Sequence, residues 1–116
     1  MTGLPEICTA ERTTNGIVLV LMVRPTLKCF DGHFEGCPLL PGVVQINWAI
    51  EFSRTQLDCH GAFRALHAVK FMRVIQPDTV VTLKLELDRE RHALTYEYQI
   101  DGQTCSVGTA LFDPPP

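Results

Sequence analysis

The chain has 116 residues, of which 46% are hydrophobic and 20% are charged. This length and composition predict one domain with a single hydrophobic core and argue against a disordered protein. Ten Lys and Arg against 13 Asp and Glu give a net charge of −3, which argues against a nucleic-acid backbone as the main partner. That balance leaves room for a small basic patch that binds an acidic partner.

The sequence carries no pattern that marks export or membrane insertion. Residues 1–14 lack a basic segment followed by an apolar one, so we expect no secretory signal. The longest apolar run covers residues 17–23, far fewer than the roughly 20 residues that cross a bilayer. The cysteines form no CxxC pair, which disfavours a zinc site. We therefore expect a cytoplasmic protein with reduced thiols and no bound metal.

The first half of the chain is predicted to form a hairpin, a loop and the start of a helix. Strands at 6–13 and 17–24 flank Asn15-Gly16, a dipeptide that favours a tight turn. The second strand is apolar throughout, as in a strand covered on both faces. Residues 25–41 are rich in Gly and Pro and are predicted to form a structured loop.

A long helix is predicted from Gly42 to Cys59, because Pro41 stands at its entry and a glycine follows its end. Its first half is apolar around nearly the whole circumference, which is typical of a buried helix. Three polar residues interrupt that half and require an explanation: Gln45, Asn47 and Glu51.

The rest of the chain is predicted to be β-structure, with strands at 64–74, 79–88, 93–100 and 103–112. Residues 79–88 alternate apolar and polar side chains, and Asp101-Gly102 is a second signal for a tight turn. One long helix with a mostly antiparallel sheet defines an α+β architecture. We predict a single domain over residues 1–116, with an irregular tail at 113–116.

The most informative segment covers residues 30–44, which read FDGHFEGCPLLPGVV. It places His33 in a Gly- and Pro-constrained loop directly before the predicted helix. A histidine can move protons near neutral pH. The unpaired N–H groups of a helix N-terminus can stabilise negative charge on an oxygen. A single loop histidine is more often structural than catalytic, so the whole string decides the interpretation.

That string resembles the active-site motif of the 3-hydroxyacyl-acyl-carrier-protein dehydratases. The family motif has roughly the form G-H-F-P-x-x-P, two apolar residues and P-G. The matching residues are Gly32, His33, Phe34, Gly36, Pro38, Pro41 and Gly42. Residues 69–78 resemble a second family segment, and the resemblance covers about residues 15–112. The variant at 39–49 most resembles the dehydratase-like proteins encoded beside aryl-polyene pigment genes. The resemblance implies a hot-dog fold, in which an antiparallel sheet wraps around one long central helix.

The resemblance also implies a reaction, namely reversible loss of water from a (3R)-hydroxyacyl thioester to give a trans-2-enoyl thioester. By this likeness His33 removes a proton from C2, and the N–H of Gly42 holds the thioester carbonyl. Phe34 and Pro41 fall in the substrate-binding part of the motif. The substrate is carried on the phosphopantetheine of an acyl-carrier protein, and no metal or redox cofactor is needed because the thioester already acidifies C2.

The sequence departs from the family at the second catalytic group. The family has a carboxylate at the position of Asn47 and usually a glutamine at the position of Glu51. Residues i and i+4 share a helix face, so our hypothesis is that the two groups have exchanged places. Glu51 would handle the proton, with burial favouring its neutral form, and Asn47 would orient Glu51 or the substrate hydroxyl. The alternative is a site that has lost its acid.

The resemblance also implies an obligate dimer with the active site at the dimer interface. In such a dimer one subunit supplies the histidine and the other supplies the carboxylate. We therefore expect a homodimer or an assembly of dimers, with a heterodimer also possible, and no nucleic-acid or membrane partner. Lys70 and Arg73 are candidates to contact the pantetheine phosphate or the acidic carrier protein, or else belong to a solvated strand face. Two other functions stay open: a hot-dog thioesterase, and a non-catalytic subunit that binds acyl-carrier protein or completes a heterodimer.

Overall fold

The structure, a computed structural model, describes residues 3–25 and 39–114. The elements in chain order are β1 (Glu6–Arg12), β2 (Gly16–Val23), α1 (Gly42–Gln56), β3 (Phe63–Phe71), β4 (Thr79–Asp88), β5 (Ala93–Ile100) and β6 (Gln103–Phe112). The strands form one sheet in the order β1-β2-β4-β5-β6-β3, and each neighbouring pair is antiparallel. The predicted α+β architecture is confirmed.

Both predicted hairpins are present, but the predicted turn at Asn15-Gly16 is wrong, because neither residue has a positive φ angle and Gly16 is already the first residue of β2. β1 and β2 are joined across residues 13–15, where the N–H of Thr13 donates to the carbonyl of Gly16 at 3.0 Å. β5 and β6 are joined by Asp101 and Gly102, whose φ angles are 51° and 76°. Two successive positive φ angles suit the right-handed twist of a hairpin, and glycine adopts them at low cost.

The core lies between α1 and the inner face of the sheet, where α1 packs against β4 and β5. Trp48, Ala49 and Phe52 form the buried stripe of the helix. The inner positions of β4 and β5 are also buried, as their sequence alternation predicts: Val81, Leu83, Leu85, Leu87, Leu94, Tyr96 and Tyr98. The indole N–H of Trp48 donates to the carbonyl of Gly3 at 3.0 Å, which ties the start of the described chain to the helix.

The prediction that β2 is covered on both faces is wrong for this chain. Its burial alternates, with odd-numbered residues 17–23 buried and Val18, Val20 and Met22 only half-buried. The reason is that α1 covers one face of the sheet, so the outer apolar side chains pack only against neighbouring strands.

The helix ends earlier than the predicted residue Cys59. α1 stops at Gln56 because Asp58 adopts φ 56°, a left-handed conformation that a helix cannot continue. A guanidinium N–H of Arg89 donates to the carbonyl of Leu57 at 2.8 Å and so satisfies one of the free carbonyl groups at the helix end.

The predicted burial of α1 on all sides is also wrong for the single chain. Val43 is 72% exposed, Asn47 is exposed and Glu51 is half-buried. These residues follow one another at steps of four and share one face of the helix. The first half of α1 thus has a buried face against the sheet and an open face that carries both apolar and polar side chains.

β3 forms one edge of the sheet and pairs only with β6. It ends at Phe71 rather than at the predicted residue 74, because the amides of Met72 and Arg73 both donate to the carbonyl of Cys105 and the ladder stops there. An irregularity between His67 and Lys70 coincides with a φ of 54° at Ala68. In the described part of the chain, no helix is long and apolar enough to cross a membrane.

Candidate active site

The predicted catalytic residue His33 and the predicted substrate-binding residue Phe34 lie outside the described residues. Glycine and proline positions of the same motif, Gly36 and Pro38, lie outside them too. The part of the candidate site that the structure describes therefore begins at Leu39, immediately before α1.

Among the described residues, the N-terminus of α1 has backbone donors without an acceptor. Pro41 is the N-cap, with φ −61° and ψ 148°, and makes no side-chain capping bond. Its carbonyl accepts from the amides of Val44 and Gln45 at 3.1 and 3.2 Å. The N–H groups of Gly42 and Val43 meet no acceptor among residues 3–25 and 39–114. These two donors and the positive end of the helix dipole can stabilise an oxygen that gains negative charge.

An open cavity of about 310 Å³ adjoins this N-terminus and is lined by Leu39, Leu40, Gly42, Gln45, Phe71, Met72, Arg73 and Val74. The Phe71 ring packs so close to Gly42 that a β-carbon at residue 42 would lie 2.6 Å from ring atom Cζ. The amide of Leu40 donates to the carbonyl of Ile75 at 2.7 Å, which joins the segment before α1 to the segment after β3.

The structure brings two predicted site residues, Gly42 and Arg73, to this one cavity. Asn47 and Glu51 lie on the open face of α1, where neither side chain hydrogen-bonds to another described residue. Lys70 is exposed on β3, and Pro41 is half-buried. Neither Asn47 nor Glu51 lines the cavity beside Gly42.

Sequence reasoning did not explain Gln45 and missed its buried partners. The Gln45 side chain donates from Nε2 to the carbonyl of Leu40 at 3.1 Å and accepts at Oε1 from the hydroxyl of Ser106 at 2.6 Å. Tyr98 on β5 also donates its hydroxyl to the backbone carbonyl of Gln45 at 2.7 Å. Burial, together with nearby Tyr96, raises the pKa of Tyr98 well above its usual value of 10.0. The available signal was a glutamine inside an apolar helical half.

A second cavity, of about 650 Å³, lies beside the C-terminal end of α1. Its lining includes Asn15, Leu57 and Arg89 but none of the predicted site residues. Among the described residues, no group of three or more His, Cys, Asp or Glu side chains is placed to hold a metal ion. Of these two cavities, only the one beside Gly42 is lined by residues that the sequence analysis predicted for the site.

A sequence model of the ApeI-like family, described as ApeI dehydratase, matches residues 9–109 of this chain. The chain belongs to this ApeI-like family. The dehydratase heterocomplex ApeI:P from Xenorhabdus doucetiae is 36% identical over 92% of this chain and 96% of that chain, with a TM-score of 0.86. An uncharacterized protein from Erwinia carotovora subsp. atroseptica is 32% identical over 96% of this chain and 97% of that chain, with a TM-score of 0.85.

A more distant relative of this ApeI-like chain is the 3-hydroxyacyl-[acyl-carrier-protein] dehydratase FabZ of Thermomicrobium roseum. The two are 27% identical over 72% of this chain, and the match spans 62% of the length of that relative. These similarities confirm the predicted dehydratase-like family and its hot-dog fold.

Proposed function

We propose that this chain is a hydro-lyase that interconverts (3R)-hydroxyacyl and trans-2-enoyl thioesters borne by an acyl-carrier protein. The observation that carries the proposal is the open N-terminus of α1 at Gly42, which borders a cavity of about 310 Å³ in a member of a dehydratase family. A helix N-terminus beside a cavity can hold the thioester oxygen while the C2–H bond breaks.

In this proposal each functional group has one task. His33 takes the C2 proton, and the N–H of Gly42 holds the carbonyl oxygen as it gains negative charge. The C3–oxygen bond then breaks while Glu51 donates a proton to the departing hydroxyl, so that water leaves. The reaction needs no metal or redox cofactor, since the thioester supplies the acidity of C2. Pro41 and Phe34 would border the acyl thioester.

A second copy of a hot-dog chain would complete the site along the β3 edge. The two edges of the sheet differ: both carry exposed charged residues, but β3 also exposes the large apolar side chains of Phe63, Leu66 and Phe71, whereas β1 exposes none. The edge with exposed apolar side chains is the better candidate for pairing, because a second chain would remove that apolar surface from water. Pairing at β3 would cover the outward apolar surface and bring another chain beside Gly42.

The carrier protein would dock beside the same edge. Arg64 and Lys70 lie exposed on β3, and Arg73 follows it at the border of the cavity. This local positive charge, in a chain of net charge −3, suits an acidic carrier surface or the pantetheine phosphate.

The described cysteines are free thiols: Cys8, Cys59 and Cys105. Because free thiols are typical of cytoplasmic proteins, the proposal places the reaction in the cytoplasm. There it would serve fatty-acid or polyene synthesis.

A second candidate function is a subunit that is active only with a different partner. Two observations favour it: Asn47 stands where the resemblance expects a carboxylate, and one similar solved structure is named as a dehydratase heterocomplex. In that arrangement this chain would supply part of the site and the partner would supply the missing acid.

An assay of enoyl-thioester hydration tests the proposal. The loss of the conjugated absorbance of the enoyl thioester measures the rate. Wild type is expected to turn over, and His33→Ala to lose about 10²–10⁴-fold in kcat as a general acid–base does. Carrier-borne substrate should have a lower KM than a pantetheine thioester of the same acyl group. Turnover by His33→Ala equal to wild type would refute the mechanism. A wild-type chain that is silent alone but active with a second dehydratase-like chain would favour the partner-dependent alternative.

A further inference from the structure

We propose that Gln45 is a positioning residue, whose buried side chain fixes the N-terminus of α1, and with it the Gly42 amide, against the sheet. The inference deepens the proposed function and rests on it. Gln45 is 3% exposed and lies one turn into α1. Its side chain reaches back to the carbonyl of Leu40, before the helix, and accepts a hydrogen bond from Ser106 on β6.

An amide at this buried position is unexpected on packing grounds alone. Neighbouring positions on the buried face of α1 are apolar, as at Ala49 and Phe52, and an apolar side chain at residue 45 would avoid the cost of burying an amide. Gln45 instead makes a pair of side-chain bonds, at 3.1 Å to the Leu40 carbonyl and at 2.6 Å from the Ser106 hydroxyl. Paired buried polar groups impose a geometry that apolar packing leaves loose.

Each of these bonds reaches a wall of the candidate cavity. Leu40 and Gln45 both line it. Ser106 pairs with Phe71 across β3 and β6, so the hydroxyl that holds Gln45 stands beside the backbone of the residue whose ring covers Gly42. Tyr98 adds a third bond, to the Gln45 backbone carbonyl at 2.7 Å. The network therefore sets the relative position of the segment before α1, the helix itself and the end of β3.

This position matters because stabilisation of a developing oxyanion depends on donor placement. A displacement of about 1 Å can cost about 100-fold in rate. Without the Gln45 amide, the Leu40 carbonyl and the Ser106 hydroxyl lose a shared partner. Leu40 then keeps its amide bond to the carbonyl of Ile75 but is free to shift, and Gly42 with it. Substrate affinity depends on a wider surface and should change less than kcat.

The test compares Gln45→Leu with Ser53→Ala. Ser53 is a matched control because it is fully buried in the same helix and donates to the carbonyl of Ile50 at 2.6 Å, far from Gly42. Measured on the enoyl thioester at a temperature where all variants are folded, Gln45→Leu should lower kcat by about 10–100-fold with little change in KM. Ser53→Ala should keep kcat within about twofold. Adding Ser106→Ala to Gln45→Leu should cause little further loss, because both remove the same network.

A second readout needs no turnover and separates this inference from the proposed function. Hydrogen exchange of the Leu40 amide should accelerate at least about tenfold in Gln45→Leu, and less in Ser53→Ala. If wild type is inactive, the proposed function fails, and Leu40 exchange alone decides whether Gln45 holds this segment. If Gln45→Leu does not fold, Ser106→Ala, which removes one bond, takes its place. Equal effects of Gln45→Leu and Ser53→Ala on kcat and on Leu40 exchange would overturn the inference.

Discussion

Phe71 and Gly42 are in direct contact at the candidate site, and the contact is possible only because residue 42 has no side chain. A β-carbon built on Gly42 would lie 2.6 Å from Cζ of the Phe71 ring and 2.9 Å from Cε1, closer than carbon atoms pack. The first residue of α1 and the last residue of β3 are thereby held together. The ring of the last residue of β3 thus packs against the first residue of α1, and both line the cavity.

Gly42→Ala is expected to destabilise the protein by about 1–3 kcal/mol through overpacking against Phe71. In a Phe71→Ala background the same change should be neutral or stabilising, because alanine favours a helix over glycine by up to about 1 kcal/mol. Urea unfolding of wild type, both single variants and the double variant gives the coupling free energy between positions 42 and 71. An equal cost of Gly42→Ala in both backgrounds would show that the ring is not what excludes the side chain.

Two neighbouring tyrosines of β5 should respond in opposite ways to loss of the hydroxyl. The Tyr96 hydroxyl is buried and has no partner among the described residues, whereas the Tyr98 hydroxyl donates to the Gln45 carbonyl. Removing an unpaired buried group should stabilise, and removing a paired one should destabilise, each by about 1 kcal/mol. We expect Tyr96→Phe to raise the free energy of unfolding and Tyr98→Phe to lower it. The two rings pack edge to face with their centroids 6.0 Å apart, so each variant is a control for the other. If both variants shift the free energy of unfolding in the same direction, the hydrogen bond from Tyr98 to Gln45 is contradicted.

Tyr98 should also make stability depend on alkaline pH. Burial raises the pKa of Tyr98 well above 10.0 in the folded chain. The protonated Tyr98 hydroxyl therefore stabilises the folded chain in full below pH about 10, which is the pKa of a tyrosine in the unfolded chain. This stabilisation is lost as pH rises through the folded pKa, because the unfolded chain releases the proton first. The stability difference between wild type and Tyr98→Phe should therefore be constant below pH about 10 and shrink above it. Urea unfolding at about pH 8 and about pH 11 measures this difference, and a difference that does not change between them would refute the assignment.

The β3 edge should control assembly. Leu66 on β3 is 41% exposed and Val80 on β4 is 48% exposed. Of these two strands, β3 lies at an edge of the sheet and β4 lies in its interior. Leu66→Glu should place a charge in the proposed interface and shift a dimer to monomers, whereas Val80→Glu should leave the dimer intact. Sedimentation velocity measures the oligomeric state. The edge proposal fails if Leu66→Glu remains dimeric, or if wild type is monomeric alone and with a dehydratase-like partner chain.

The sequence predicts those features of the fold that depend on local pattern. Alternation located β4 and β5, and Asp101-Gly102 located the turn between β5 and β6, since side-chain period and turn preference act over a few residues. Asn15-Gly16 indicated the first hairpin, but these two residues do not adopt the positive φ angles predicted for its turn. The end of α1 was not predicted correctly, because the chain leaves the helix through a positive φ at Asp58, a residue type that does not by itself indicate such a conformation.

The sequence also did not predict the open face of α1 or the buried hydrogen-bond network around Gln45, for related reasons. The apolar circumference of α1 predicted burial on all sides, but the described chain leaves Val43 uncovered, since a sequence does not say which chain does the covering. The bond between Ser106 and Gln45 joins positions 61 residues apart, and no local period predicts such a pair. Only a glutamine within an apolar half indicated that a partner was needed.

The exchanged-carboxylate hypothesis makes a prediction about a double variant. Glu51 and Asn47 share the open face of α1, one turn apart. Glu51→Gln should lower kcat for hydration by about 10²–10⁴-fold, as expected for loss of a general acid–base. Adding Asn47→Glu returns the carboxylate to the position that the resemblance expects, and should recover at least about tenfold of that loss.

Asn47→Gln in the Glu51→Gln background is the matched control, because it adds the length of a glutamate without its charge, and it should recover nothing. Steady-state hydration at several pH values measures all variants. If Glu51→Gln is as active as wild type, Glu51 does not handle the proton. If Asn47→Glu recovers no more than Asn47→Gln, a carboxylate at position 47 cannot replace the one at position 51.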